Sequence, residues 1–178
     1  MSQELEELRA RIARLEAKEA CISMFNEYLY YLDGEFTEDL LGLFAPDAQL
    51  EVMNYPPGSG ENLYLHGHEA IRPLYEEHHG ILTRHHSANM TVNVQPDCTT
   101  AELSAYFITA INYGITGGLY EARLDRIDRK WLFAWLRISS SWGWVLPQGF
   151  PPFLSESLAA GSLRRGRPVM YCPAEPKD

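Results

Sequence analysis

Along the first part of the chain the apolar positions Leu5, Leu8, Ile12 and Leu15 recur at spacings of three and four between Glu, Arg and Lys, which predicts a helix over residues 3–33 with one apolar stripe. The stripe is too short for a free coiled coil, so residues 1–20 are expected to form a leader helix lying on its own domain or on a second subunit. From Ile22 to Leu32 the segment turns aromatic (Phe25, Tyr28, Tyr30, Tyr31), as in a helix entering a core. Gly34 suits a C-cap, and Thr37 can cap a short helix running to Phe44. Ala45-Pro46-Asp47-Ala48 reads as a turn, and Gln49 to Asn54 alternates as a strand. The Pro/Gly-rich segment 55–60 is a loop. Leu63 to His66 reads as a short return strand. A third helix is expected over 68–79, with Ile71, Leu74, Tyr75 and His78 on one face.

The remainder is mostly strand. His86 to Val94 alternates, and Gln95 to Thr99 is a turn. A long strand is expected over 100–113, a turn over 114–118, a strand over 119–127, a tight turn at Asp128-Arg129-Lys130, and a last, aromatic strand from Trp131 to Val145. Strands joined by short turns are antiparallel neighbours, and helices gathered ahead of them make the class α+β. Residues 1–145 read as one domain. Residues 146–178, with Pro147, Pro151, Pro152, Pro168, Pro173 and Pro176, read as an extended tail that closes one end or reaches a neighbour.

Composition narrows the function. With 178 residues, 46% apolar and 22% charged, the chain suits one domain with a substantial core or an internal cavity. A net charge of −9 disfavours nucleic acid and anionic lipid as partners, and Arg164-Arg165-Gly166-Arg167 is too short to reverse this. Cys21, Cys98 and Cys172 are too far apart to suggest a disulfide framework or a zinc site, which suits a reducing compartment. The acidic N-terminus is unlike a signal peptide, and no apolar run approaches the ~20 residues of a membrane span, so a cytoplasmic location is expected.

The residues with chemistry to offer are Tyr28 and Asp33 at the end of the first helix, and Arg84-His85-His86 some fifty residues later. A carboxylate at Asp33 hydrogen-bonded to His85 would fix the imidazole tautomer and leave the other ring nitrogen as a base. The competing readings are a structural histidine in a strand and an Asp-Gly turn. Tyr28, five residues before Asp33, is turned about 140° from it around the helix, so both line one pocket only if it wraps the helix end. His86 falls on the opposite strand face from His85 and shares parity with Met90, Val92 and Val94, so a bulge would exchange their roles. Histidines 66, 68, 78 and 79 lack a third ligand at convincing spacing, and no metal or other cofactor is expected. Tyr106, Tyr113, Trp131, Trp135, Trp142 and Trp144 read as core and as the wall of a cavity for an apolar ring system. His86, Tyr106, Asn112, Arg137 and Trp135 are the candidate substrate contacts, although for Asn112 or Arg137 alone, mid-strand, facing solvent is the better reading.

Several segments carry a family pattern in order: Tyr28-x-x-x-x-Asp33-Gly34, Asp39-Leu-Leu-x-Leu-Phe-Ala-Pro-Asp-Ala-x-Leu-Glu51, Gly67-x-Glu-Ala-Ile-Arg72, His85-His-x-x-Asn-x-x-Val92, and a last hairpin ending in Lys130-Trp-x-Phe133. Over residues 8–145 the chain resembles the SnoaL-like branch of the nuclear transport factor 2-like superfamily. The resemblance implies a cone-shaped, curved antiparallel sheet packed on N-terminal helices around an internal pocket. It further resembles scytalone dehydratase, hexachlorocyclohexane dehydrochlorinase and bile acid dehydratase. That implies His85 as base, Asp33 as its orienting partner and Tyr28 as a donor. The bile acid enzyme's second Asp would fall near Thr109, and the second His of scytalone dehydratase has no clear counterpart. The implied activity is a cofactor-independent lyase or isomerase acting on a small hydrophobic, aromatic or polycyclic molecule, with dehydration by β-elimination leading. Polyketide-type cyclisation and retro-aldol cleavage use the same parts. A small-ligand binder, or a module like the small subunit of ring-hydroxylating dioxygenases, is the non-catalytic alternative. A homodimer or higher assembly is expected.

Overall fold

The first helix changes character part-way along. In the computed structural model, which describes residues 3–56, 58–81, 83–111 and 114–145, α1 spans Gln3–Asp33. Its leader stripe of Leu5, Leu8, Ile12 and Leu15 is exposed, and burial starts only at Ala17. The expectation that the leader lies on its own domain is therefore corrected. The buried face that follows, Cys21, Met24, Phe25, Tyr28 and Leu29, has helical periodicity. Phe25 and Tyr28 drive into the core, edge-on to Tyr120 and Phe133 at centroid distances of 5.4 and 5.2 Å respectively. Burying rings of this size contributes about 1.5–3 kcal/mol each, which anchors the helix end that carries Asp33. That end closes with Gly34 N–H donating to the Tyr30 carbonyl and Phe36 N–H to that of Tyr31. The left-handed residue is Glu35 (φ 58°), and Gly34 is required beside it because a Cβ there would meet the Phe36 ring at 2.5 Å.

The later elements are α2 (Thr37–Leu41), β1 (Phe44–Met53), β2 (Asn62–His66), α3 (His68–Glu76), β3 (Thr83–Val94), β4 (Thr100–Ile111), β5 (Gly114–Ile127) and β6 (Lys130–Val145). The six strands form one sheet in the order β2-β1-β6-β5-β4-β3, antiparallel throughout except that β1 runs parallel to β6. Asp128 and Arg129, both with positive φ, make the two-residue turn between β5 and β6. The class is α+β, with the helices over the inner face of a curved sheet. Among the described residues no helix is long and apolar enough to cross a membrane. Asn112, Tyr113 and the expected tail 146–178 lie outside the described residues.

Some boundaries differ from the expected ones. The Ala45–Ala48 turn belongs to β1, which absorbs it as a register irregularity between Phe44 and Gln49. Strand β3 starts at Thr83, so Arg84 and His85 are already in the sheet. The expected turn over 114–118 is the first part of β5, paired with both neighbours. Its glycines serve close approach rather than turning. A Cβ on Gly117 would lie 2.3 Å from the Trp142 ring, and one on Gly118 only 1.9 Å from the Ser139 carbonyl oxygen. Gly118→Ala is therefore expected to push β5 and β6 apart and cost about 1–3 kcal/mol or more, read as a clear fall in melting temperature. A melting temperature equal to wild type would contradict that packing.

The expectation of tryptophan in the core holds only for Trp131. Trp142 and Trp144 are 52% and 70% exposed, because the odd positions of β5 that they pair with, Gly117 and Ile115, face outward.

Candidate active site

Alternation along β4 sets the site. Ala101, Leu103, Ala105, Phe107 and Thr109 point inward, towards the helices. His85 pairs with Thr109 across the β3–β4 ladder and so shares that face, whereas His86 pairs with Ile108 and faces out. The ladder slips between Ala88 and Thr91, with Asn89 at φ 50°, and this restores Val92 and Val94 to the inner face. A bulge thus lets His85 and the two valines, of opposite parity in sequence, share one face.

Asp33, at the last turn of α1, meets His85 directly. Its Oδ1 accepts from His85 Nδ1 at 2.6 Å and from Thr83 Oγ1 at 3.0 Å, and its Oδ2 accepts from the His85 backbone N–H at 2.9 Å. Both side chains are about nine-tenths buried. Because a carboxylate only accepts, Nδ1 carries the hydrogen in this bond, and Nε2 is the ring nitrogen left available.

His85 lines an inner cavity of about 320 Å³, whose walls include Leu32, Val52, Leu74, Ile81, Phe107 and Ile138. Polar groups reach it at Thr109, Thr116, Ser140, His78 and the tyrosine cluster. Tyr28 is fully buried, and its hydroxyl lies 3.1 Å from that of Tyr75. Burial, then the neighbouring Tyr75 and the charge of Asp33, pushes the Tyr28 phenol well above its ordinary range. Burial likewise raises Tyr75 and Tyr120, so all three stay neutral O–H groups at physiological pH. Tyr28 and Leu32, one turn apart on a single face of α1, line the cavity with His85, so the cavity does not wrap the helix end to take in Asp33 as well. Asp33 stands behind His85.

The other expected contacts lie elsewhere. His86, Tyr106, Trp135 and Arg137 are on the outer sheet face, the reverse of the expected placement for substrate contacts. On β6 the inward positions are Leu136 and Ile138, and alternation turns Trp135 and Arg137 out. There they bind Glu51: Trp135 Nε1 donates to it at 2.9 Å, Arg137 Nε at 2.8 Å, and Arg137 also stacks on the Trp135 ring at 5.1 Å. Partial burial pushes the Glu51 carboxyl up, but those two hydrogen bonds and the Arg137 charge outweigh it and hold the carboxyl below its ordinary value. A lowered folded-state pKa stabilises the fold above the unfolded value of ~4.3 and ceases to do so as pH falls through the folded value. The melting-temperature gap between wild type and Glu51→Gln should therefore be present at neutral pH and shrink in acid. A gap that widens in acid would contradict this. A larger outer-face depression of about 610 Å³ next to Trp135, lined by Glu102, Ser104, Glu121 and Arg123, contains no histidine.

The remaining histidines have separate partners. His68 Nε2 lies 3.0 Å from the Phe44 carbonyl, His79 Nε2 lies 2.8 Å from Thr37 Oγ1, and His66 pairs with Gln49 on the outer face. Among the described residues no three His, Cys, Asp or Glu side chains are grouped to hold a metal. The residues that sequence reasoning left without a role here are His78, Tyr75 and Thr109. Two of them carried a signal, since Tyr75 and His78 extend the apolar stripe of α3.

The fold has many relatives among solved structures. A protein assigned as a scytalone dehydratase from Novosphingobium aromaticivorans is 22% identical, with a TM-score of 0.66 over 76% of this chain and 91% of its own. A hexachlorocyclohexane dehydrochlorinase (LinA-type3) from Novosphingobium barchaimii is 18% identical, with a TM-score of 0.65 over 80% and 99%. An NTF2-like protein with a cystatin-like fold, also from N. aromaticivorans, is 18% identical, with a TM-score of 0.64 over 79% and 92%. At these identities the likeness shows the fold. Among curated proteins no sequence matches significantly. The model of the SnoaL-like domain matches residues 13–137, which takes in the helix end, the bulged strand and all of the cavity wall except Ile138 and Ser140, and the chain belongs to that family.

Proposed function

We propose that this protein is a cofactor-independent lyase that removes water, or a comparable leaving group, from a compact, mostly apolar ring ketone by proton abstraction. Double-bond isomerisation of the same substrates is the closest variant. The reading rests on one observation: the Asp33–His85 pair, nearly buried, stands at the wall of an apolar cavity. His85 Nε2 takes the proton from the carbon beside a carbonyl. Asp33 keeps Nδ1 as the donor and stabilises the imidazolium that forms. The neutral phenol of Tyr28 is a hydrogen-bond donor for the enolate oxygen.

At about 320 Å³ the cavity is near the lower end of the ~300–1,000 Å³ of small-molecule sites, which favours one to three fused rings over a longer skeleton. The hexachlorocyclohexane dehydrochlorinase, and the protein assigned as a scytalone dehydratase, among the structural relatives are consistent with elimination chemistry on ring substrates. A carboxylate–imidazole pair about nine-tenths buried, with the imidazole at a cavity wall, favours an enzyme over a non-catalytic module. Cyclisation and retro-aldol cleavage would draw on the same base. Self-association through the exposed leader stripe and outer-face aromatics belongs to the same proposal, and light scattering would measure it.

The test is a panel of one- to three-ring β-hydroxy ketones, followed by the absorbance of the conjugated product. Turnover of at least one member by wild type is expected. Failure of the whole panel, with bound ketones mapped by NMR away from the Leu32–Phe107 cavity, would contradict the proposal.

A further inference from the structure

The cavity holds a second imidazole fixed in the same way as the first. His78 follows the last turn of α3, and its Nδ1 lies 2.6 Å from the Leu74 carbonyl oxygen. A carbonyl only accepts, so Nδ1 carries the hydrogen in that bond whether the ring is neutral or protonated. As in His85, Nε2 is the ring nitrogen left for the cavity that both residues line.

A second observation points to a polar substituent on the ligand. Thr109, 3% exposed and directly across the ladder from His85, has a buried hydroxyl with no hydrogen-bond partner among the described residues. A hydroxyl left so costs about 1–3 kcal/mol, and Thr109 lines the same cavity. An entirely apolar occupant would satisfy neither His78 nor Thr109. A ring ketone that also carries an oxygen substituent would satisfy both.

Building on the proposed function above, we propose that His78 is the acid of the elimination, giving its Nε2 proton to the departing oxygen while His85 removes the carbon-bound proton. The step balances. The C–H pair becomes the new C=C bond as the C–O bond breaks, the oxygen leaves with the C–O bonding pair, and it takes the proton of protonated His78 to depart as water. His85 ends protonated and His78 neutral, and exchange with solvent resets both. The charged or titratable groups that line the two cavities bordered by His78 include Tyr75, Glu77 and His79 on its own segment, Tyr28 and Tyr31 on α1, Glu35 just after it, Tyr120 on β5 and His85 on β3.

The experiment pairs two probes on one bicyclic skeleton, a β-hydroxy ketone and its β-acetoxy counterpart, because acetate departs without needing a proton. His78→Asn keeps an N–H for the Leu74 carbonyl and removes Nε2. His78→Gln is the second variant, and circular dichroism checks the fold of each. Elimination of hydroxide should fall about 10²–10³-fold, elimination of acetate should change only a few-fold, and the decline of kcat/KM at high pH should disappear. Equal losses on both probes, or no loss on either, would overturn the assignment. Deuterium uptake by the same skeleton without a leaving group should depend on His85 and not on His78. Wild-type uptake in His85→Ala would instead overturn the lyase reading, and this assignment with it.

Discussion

His85→Ala is expected to lower elimination of the best ring ketone by about 10²–10⁴-fold, the range that a positioned general base contributes. The reason is local. Asp33 fixes Nδ1 at 2.6 Å, so Nε2 is the one ring nitrogen offered to the cavity. No other imidazole has a carboxylate partner among the described residues, so no neighbour can take over with its imidazolium equally stabilised. The fold should survive, because Asp33 keeps the Thr83 hydroxyl and the residue-85 backbone N–H as donors. Rates on purified variant and wild type, with matched circular dichroism, check the expectation. A variant within a few-fold of wild type would remove His85 from the chemistry.

Asp33→Asn should be nearly as damaging, for a different reason. The carboxylate accepts three hydrogen bonds, from Thr83 Oγ1, His85 N and His85 Nδ1. An amide offers one oxygen and one N–H₂ in their place. If the oxygen keeps the backbone N–H, the amide faces Nδ1 with a donor and selects the other tautomer, with the proton on Nε2 and no lone pair at the cavity. A loss of about 10²–10⁴-fold is expected with the fold kept. Asp33→Ala goes further: it strands three buried donors at about 1–3 kcal/mol each and should also lower the melting temperature markedly. Nitrogen NMR of the ring would report the tautomer directly. An unchanged Nδ1–H form in Asp33→Asn, together with a full loss of rate, would mean that charge rather than tautomer is what Asp33 supplies.

How much of this was legible in the sequence depends on the distance over which each rule acts. The amphipathic stripe of α1 and its aromatic end were readable because helical periodicity is local. So was the Asp128–Arg129 turn, whose short connection dictates antiparallel neighbours. The pairing of Asp33 with His85, far apart in sequence, came from the family pattern and not from spacing. Which histidine faces inward was undecidable from parity alone, since the bulge between Ala88 and Thr91 shifts Val92 and Val94 relative to His85.

Orientation across the sheet was the harder problem. Trp135 looked like a cavity residue because large aromatics invite that reading, and Arg137 was a candidate contact although a mid-strand cation more readily faces solvent. They face outward because Leu136 and Ile138, between and beside them, claim the inner positions, and Glu51 on β1 satisfies both. The glycines at 117 and 118 misled in the same way. They suggest a turn, yet they are there so that a tryptophan ring and a neighbouring carbonyl can come close. His78 was weighed as a metal ligand, although its place in the Ile71–Leu74–Tyr75 stripe already put it on the buried side.

The central claim is that a carboxylate-oriented imidazole serves this cavity as a base. It is tested most directly by proton exchange, without any leaving group to complicate the rate. Chelator-treated protein in D₂O is incubated with a bicyclic ketone, and deuterium at the carbon beside the carbonyl is followed by NMR. The account predicts steady uptake above the buffer rate with wild type, and uptake reduced to that background in His85→Ala. Uptake at the wild-type rate in His85→Ala would contradict it.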